Sequence, residues 1–89
     1  MRNIMKIDLA RSLALAFLRN GVLPPKDDRY LIVENAIEEE SEGWYFPFQT
    51  EKFLKTRDIQ YSVVGNWPIF VSKDGEVVEQ RRPRSSAVR

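Results

Sequence analysis

The chain has 89 residues, of which 30% are charged, with a net charge of +1 and neither cysteine nor histidine. A chain of this length forms one domain, and its near-zero net charge argues against nucleic acid as a partner. The missing residue types exclude disulfides, thiol chemistry and every catalytic or metal site that needs a histidine. Most classes of small enzyme are excluded with them.

The first predicted element is a helix from about Asp8 to Asn20. Asp8 has the side chain of a helix N-cap, and apolar residues follow it at helical spacing. The predicted core stripe comprises Leu9, Leu13, Ala16 and Phe17, and it is widened by Leu15, Leu18 and Val22. Asn20-Gly21 predicts a left-handed C terminus, and the helix cannot continue through Pro24-Pro25. The apolar stretch is too short to span a bilayer, and no small-residue cleavage site follows it, so we expect neither a membrane span nor a signal peptide.

Two strands are predicted in the middle of the chain. Tyr30–Ile37 is rich in β-branched residues, and Trp44–Gln49 alternates large aromatic side chains with others. Pro47 has no amide hydrogen to donate, so the second strand has a bulge or an open edge there. That edge could pair two copies of the chain in a homodimer. The segment Thr50–Thr56 fits either a helical turn capped by Thr50 or a loop.

A hairpin is predicted near the C terminus, because Lys73-Asp74-Gly75 contains the Asp-Gly pair that suits a tight turn. It would join strands at Ile69–Ser72 and Glu76–Gln80. Pro, Ser and Arg dominate from Arg81 onward, which predicts a flexible basic tail. We therefore predict one α+β domain over residues 1–80, with a flexible tail over residues 81–89. In this domain an N-terminal helix packs on an antiparallel meander of about four strands.

An acidic cluster follows the first predicted strand and comprises Glu38, Glu39, Glu40 and Glu42. A charge run of this kind is either a solvated turn or a patch that meets a basic partner. Side chains of consecutive strand residues point to opposite faces, which makes a poor cage for a cation. We therefore predict no metal site.

Two aromatic residues are candidates for contact with a partner. Tyr45 has the opposite strand parity to Trp44, which is predicted to be core, so Tyr45 could be exposed. Trp67 lies in a predicted turn, where it either covers the core or contacts a partner. Exposed tyrosine and tryptophan are enriched among the residues that dominate protein-binding energy. The arginines of the tail have no aromatic residues between them and are interpreted as solvated.

Several of these residues together resemble the YrhB-like bacterial immunity proteins, the thirty-fifth numbered immunity-protein family. The resemblance rests on the runs Gly43-Trp44-Tyr45-Phe46, Phe53-Leu54, Gly65-Asn66 with Pro68, and Asp74-Gly75-Glu76-Val77. It extends over roughly Asp8 to Glu79. The family positions carried onto this chain are Gly43, Trp44, Phe46, Gly65, Asn66, Pro68, Gly75 and Glu76. Most of them are of residue types that determine a fold, so the resemblance predicts the fold better than it locates a binding surface.

The resemblance implies a non-catalytic, cytoplasmic bacterial protein that binds and neutralises a cognate toxin without a cofactor. On that interpretation the acidic cluster, Tyr45 and Trp67 would contact the toxin. The alternative is a small ligand-binding or general protein-interaction module, with a helix-on-sheet pocket lined by Trp44, Phe46 and Phe48. An enzyme that works with Glu, Tyr or Lys alone would require a carboxyl group with a raised pKa.

Overall fold

The computed structural model describes residues 6–63 and 65–83. Within these residues a long helix packs across one face of a four-stranded antiparallel sheet, and a two-stranded sheet is followed by a short helix. The elements are α1 Ile7–Gly21, β1 Tyr30–Ile32, β2 Glu38–Glu40, β3 Gly43–Phe46, β4 Phe48–Thr50, α2 Glu51–Thr56, β5 Ile69–Ser72 and β6 Val78–Gln80, with single 3-10 turns at Glu34–Ala36 and Ile59–Tyr61. The predicted α+β class, with an N-terminal helix on antiparallel strands, is confirmed.

Helix α1 contacts the sheet through a stripe that agrees with the predicted one in part. Its buried residues are Ala10, Ala14 and Leu18, which follow one another at intervals of four. Leu9, which was expected in the core, is 54% exposed. The small side chains of Ala10 and Ala14 let the helix backbone approach the sheet closely, whereas the larger residues flank this contact. The prediction is therefore confirmed for Leu18 and for its partly buried neighbours, is wrong for Leu9 and Ala16, and missed the two contact alanines.

Both ends of α1 differ from the prediction. Lys6 occupies the N-cap position without a side-chain capping bond, so Asp8 lies inside the first turn. There its carboxylate accepts a hydrogen bond of 2.9 Å from Arg11 and favours the positive end of the helix dipole. At the other end Gly21 is still helical, and Val22 ends the helix in an extended conformation with φ −128°. A left-handed glycine is not needed here because the chain simply straightens toward Pro24.

The four-stranded sheet has the order β2-β3-β5-β6, and each neighbouring pair is antiparallel. Trp44 pairs with Val71 and Phe46 with Ile69, and all four side chains belong to the core beneath α1. The residues between them, Tyr45 and Phe70, point to the opposite face, which we call the back face. Both faces of the two central strands are buried.

Proline splits one predicted strand between two sheets. Pro47 separates β3, in the four-stranded sheet, from β4, which pairs with β1. Because Pro47 has no amide hydrogen, it cannot continue the ladder of β3. Its carbonyl accepts a hydrogen bond of 2.8 Å from the Val33 amide, so part of the edge predicted to be open is paired within the chain. A homodimer at this edge stays a prediction.

The first predicted strand is also divided. Tyr30–Ile32 forms β1, a 3-10 turn follows at Glu34–Ala36, and the acidic run then forms the edge strand β2. Of the two interpretations of Thr50–Thr56, the helical turn is confirmed: the Thr50 hydroxyl accepts a hydrogen bond of 3.1 Å from the Phe53 amide. The described residues thus contain six strands where about four were predicted.

The predicted hairpin is confirmed. Gly75 has φ +77°, and its amide donates to the Ser72 carbonyl at 2.9 Å, which closes the turn between β5 and β6. The pairing continues past β6, because the Arg81 amide donates to the Pro68 carbonyl at 3.0 Å. Pro83 is buried. The segment Arg81–Pro83, which we call the strap, therefore packs with the domain, whereas the rest of the predicted tail, residues 84–89, lies outside the described residues.

Candidate functional site

A groove at one end of the four-stranded sheet brings together two of the residues proposed from the sequence. It has a volume of about 390 Å³ and is open to solvent. Its lining comprises Ala36, Glu38, Pro47, Phe48, Asn66, Trp67, Pro68 and Pro83. We call it the Trp67 groove. Three of the lining residues are prolines, and their rigid rings lose almost no side-chain conformational entropy when a partner binds.

Trp67 is the most exposed aromatic side chain of this groove, at 48%. It lies just before β5, and its carbonyl accepts a hydrogen bond of 3.1 Å from the side-chain amide of Gln80. This hydrogen bond joins the backbone before β5 to the end of β6, and it therefore fixes the backbone that carries the indole. Of the two sequence interpretations of Trp67, a cover for the core and a surface residue, its exposure favours the second.

The guanidinium of Arg82 lies over the Trp67 ring, with its central carbon 5.7 Å from the ring centroid. Glu38, at the start of β2, places a carboxylate at the same groove. The groove therefore combines apolar walls with an aromatic face and one acidic group. Such a surface suits an extended segment that carries both apolar and cationic side chains.

The acidic cluster is neutralised in part by the chain itself. Glu39 forms an ion pair with Lys73, and the Lys73 ammonium also lies 4.7 Å from the centroid of the Trp44 ring. Glu42 lies 4.0 Å from Arg81. The four glutamates are thus not a uniform negative surface, because Glu39 in β2 and Glu42 beyond its end already have cationic neighbours.

The expectation that Tyr45 is exposed is wrong. Tyr45 is 1% exposed and packs against Phe70 with ring centroids 5.0 Å apart. Arg81 covers Phe70 in turn, with its guanidinium carbon 3.9 Å from that ring centroid. Opposite strand parity made Tyr45 look exposed, but the strap covers this face and the back face is a second buried layer. Tyr45 cannot contact a partner while the strap is in place.

Charge and hydrogen bonding hold Arg81 on the back face. A hydrogen bond of 2.7 Å from its guanidinium to Glu79 is the main reason that the pKa of Arg81 lies above its ordinary value. The Tyr45 hydroxyl is near enough to add to this rise in pKa, although it is buried and makes no hydrogen bond within the described part of the chain. Arg81 therefore remains charged at any physiological pH. Its guanidinium plane covers the Phe70 ring, while its N–H groups at the edge stay hydrogen-bonded.

The family positions divide into fold determinants and groove residues. Trp44 and Phe46 are core, and Gly75 makes the hairpin turn. At Gly43 a Cβ atom would lie 2.2 Å from the Val71 carbonyl oxygen and 2.9 Å from the Phe70 ring, so only glycine fits.

The remaining family positions lie on loops. Gly65 has φ +80°, and Glu76 follows the hairpin glycine with its amide bonded to Asp74 at 3.0 Å. Asn66 and Pro68 line the Trp67 groove on either side of Trp67. The family resemblance thus included two groove residues, Asn66 and Pro68, which the residue patterns alone had predicted only as part of a turn.

Sequence reasoning missed the groove residues Pro47 and Pro83 and the position of Arg82 over the Trp67 ring. A signal for Arg82 was present, because Ile69 pairs with Gln80 and the same antiparallel register sets Trp67 opposite Arg82. The prolines had no such signal, since they come from separate loops that only the tertiary fold brings together.

The helix-on-sheet pocket proposed as an alternative is filled. Trp44 and Phe46 are 3% and 0% exposed and pack in the core with residues of α1 and β5. Phe48 is buried as well and lines the Trp67 groove instead.

Within residues 6–63 and 65–83, no three acidic side chains come close enough to hold a metal ion. No helix in the same range has the length and hydrophobicity to cross a membrane.

Comparison with known proteins agrees with the sequence resemblance. The sequence pattern of Immunity protein 35 matches residues 9–87, which includes the strap and runs past the predicted domain end at residue 80. A stretch of 38 residues is 45% identical to the uncharacterized protein YrhB of Escherichia coli (strain K12). That stretch spans 42% of this chain and 40% of YrhB. No solved structure is a significant match. Because the family match extends over nearly the whole chain, this protein belongs to the Immunity protein 35 family.

Proposed function

We propose that this protein is a non-catalytic immunity protein that binds a cognate bacterial toxin and neutralises it by covering the toxin's active site. Membership of an immunity-protein family supports the class of function. The observation that carries the binding hypothesis is the Trp67 groove, where a half-exposed tryptophan and the Glu38 carboxylate share one concave surface. A chain without cysteine folds without disulfides, which suits action in the bacterial cytoplasm.

Trp67 is the proposed anchor of the toxin interface. Tryptophan residues in concave, dry surroundings dominate many protein interfaces, and truncating one commonly costs at least about 2 kcal/mol of binding. The proline walls limit the conformational entropy lost on binding, because their rings are already fixed. Glu38 and the neighbouring edge strand β2 would set the orientation of a basic toxin surface.

The test is co-expression with toxin domains encoded beside this protein's gene, followed by inhibition assays with purified components. We expect one such toxin to be inhibited at equimolar ratio. Trp67→Leu should weaken binding by about 30-fold, because the indole is the anchor. The matched control is Leu23→Ala, since Leu23 is 91% exposed and lies away from the groove. Failure to inhibit any neighbouring toxin would contradict the function, and equal loss in both variants would contradict the assigned surface.

The acidic edge is tested separately by association kinetics. Reversing Glu38 and Glu40 to lysine leaves the Glu39–Lys73 and Glu42–Arg81 pairs in place. Toxin association at low salt should slow by about tenfold or more if β2 steers a basic partner. An unchanged association rate would remove the acidic cluster from the interface and leave the rest of the Trp67 groove as the contact surface.

A second candidate function is supported by a smaller groove of about 250 Å³ between α1 and β1. Its lining is mostly apolar, with Leu15, Leu18, Val22 and Leu31, and the side chains of Arg19 and Arg29 stand at its border. A ligand with an apolar body and an anionic end would fit this chemistry. Binding of a fluorescent fatty-acid analogue that Leu15→Asp abolishes would favour this candidate, and no binding to the native protein would exclude it.

A further inference from the structure

In the folded chain the guanidinium of Arg82 lies against the Trp67 ring. Arg82 lies over it with 5.7 Å between the guanidinium carbon and the ring centroid, within the range of a cation–π contact. No carboxylate of the described residues forms an ion pair with Arg82. The aromatic face is therefore the main contact of this guanidinium among the described residues, and a contact of this kind at an exposed site is weak enough to be exchanged.

The position of Arg82 follows from the hairpin register. Ile69 pairs with Gln80, and the Arg81 amide donates to the Pro68 carbonyl at 3.0 Å. The next pair in this antiparallel ladder is Trp67 with Arg82. Extension of the hairpin register therefore brings Arg82 close to the indole.

The surroundings of Trp67 also suit the rest of an arginine side chain. Pro47, Pro68 and Pro83 form apolar walls along which a methylene stem can lie while its charged end stays hydrated. Glu38 supplies a carboxylate at the groove, which complements a guanidinium better than an ammonium because two parallel hydrogen bonds can form. Glu38 already takes part in another interaction, so an incoming cation would share or exchange that contact.

We propose that the Trp67 ring and the groove beside it bind an arginine side chain presented by an extended segment of the partner, and that Arg82 covers this ring until the partner displaces it. This inference rests on the proposed toxin binding and names the chemistry that the toxin contributes. Arg82 thereby acts as an internal competitor. Removing this positive charge strengthens the binding of a basic segment at low salt, and it also frees the indole face.

The experiment uses the full chain and two short peptides, acetyl-Leu-Arg-Leu-amide and the same peptide with citrulline in place of arginine. Citrulline keeps the shape of arginine without its charge. Binding is followed by NMR at low salt, through the indole N–H of Trp67 where that residue is present and through the backbone amides of the groove residues in Trp67→Leu. We expect the arginine peptide to bind the Arg82→Ala variant about two- to fivefold more tightly than the original chain. The citrulline peptide should bind about tenfold more weakly than the arginine peptide, and Trp67→Leu should abolish the difference between them.

Several outcomes would overturn the proposal. These are equal binding of the two peptides, no change at the Trp67 indole in Arg82→Ala, or weaker binding by that variant. Circular dichroism of each variant shows whether it is folded, and Arg82→Lys tests the site without removing the charge. The toxin assay separates this inference from the proposed function: a toxin neutralised equally by Trp67→Leu would leave immunity intact and exclude the arginine site. Arginine-peptide binding without any inhibited toxin would leave the site intact and exclude immunity.

Discussion

The two faces of the four-stranded sheet are equally buried but are covered by different means. Ile69, beneath helix α1, is 0% exposed, and its neighbour Phe70, on the back face, is 2% exposed. On the first face the cover is a regular helix with alanine at the contact. On the back face the cover includes the strap, in which Arg81 lies 3.9 Å from the Phe70 ring centroid.

The difference shows that a charged side chain can close an apolar layer. The faces of a guanidinium are weakly hydrated and stack on aromatic rings, while its N–H groups remain available at the edge. Arg81 uses those N–H groups on Glu79, with Glu42 nearby. Helix α1 is recognisable in the sequence from its periodic apolar residues. Arg81, by contrast, appears in the sequence as part of a solvated basic tail.

The strongest test of the comparison is truncation of Phe70. If the back face is a packed layer, Phe70→Ala should lower the free energy of unfolding by about 3–5 kcal/mol, because it leaves a cavity beside Tyr45. The matched control is Ile69→Ala, with an expected loss of about 2–5 kcal/mol on the helix side. Urea denaturation of both variants measures this. A cost below about 1 kcal/mol for Phe70→Ala would mean that the back face is not a true core.

The second test adds one methyl group to the back face. A Cβ at position 43 would lie 2.2 Å from the Val71 carbonyl oxygen, so β3 and β5 must separate in Gly43→Ala. We expect a loss of about 2–3 kcal/mol, typical of overpacking against backbone. Gly65→Ala serves as control, since nothing lies within 4 Å of that Cβ and only the positive φ of +80° is unfavourable. A loss no larger than that of Gly65→Ala would show that the close approach of Val71 and Phe70 does not require glycine at position 43.

The third test concerns the strap. Arg81→Ala should cost about 1 kcal/mol of stability, because it removes the ring cover and leaves Glu79 unpaired at a partly exposed position. Arg82→Ala should stay within about 0.5 kcal/mol, since Arg82 contacts only the exposed Trp67. Thermal unfolding monitored by tyrosine and tryptophan fluorescence distinguishes the two. Equal effects would mean that the strap covers the back face without a specific role for Arg81.

The smallest expected effect concerns the surface ion pair of Arg29 with Glu51, which does not cover an aromatic ring as Arg81 does. Arg29 bonds Glu51 at 3.0 and 3.2 Å and joins the start of β1 to α2. The hydrogen bond from Arg29 holds the pKa of Glu51 below its ordinary value. Because the folded-state pKa is lowered, the pair contributes stability above the ordinary carboxyl pKa, and that contribution is lost as pH falls through the folded-state pKa.

We therefore expect unfolding free energy to fall less steeply with acidification in Arg29→Ala than in the original chain. Urea denaturation at a series of acidic pH values measures the difference. Identical slopes would show that this exposed pair adds nothing, in contrast to the covered guanidinium of Arg81.

Much of the fold was predictable from local patterns, and the candidate site only in part. The hairpin at Asp74-Gly75 was predicted correctly, and the Thr50 cap was one of two predicted alternatives, because each depends on the conformational preference of one or two residues. Trp67 and Glu38 were singled out from the sequence, but nothing local indicated that they share a groove. Tyr45 was misplaced because strand parity says which face a residue points to and not what covers that face.

The sequence by itself determined the α+β class, the N-terminal helix, the C-terminal hairpin and the immunity-protein family, because periodicity, turn residues and short motifs are local properties of the chain. Tertiary structure decided which alanines of α1 meet the sheet, how Pro47 divides a strand between two sheets, and that Arg81 closes the back face. It also decided that prolines from three loops surround Trp67. The physical reason is that these outcomes depend on long-range pairing and on the shapes of surfaces in contact, and no window of the sequence contains both partners.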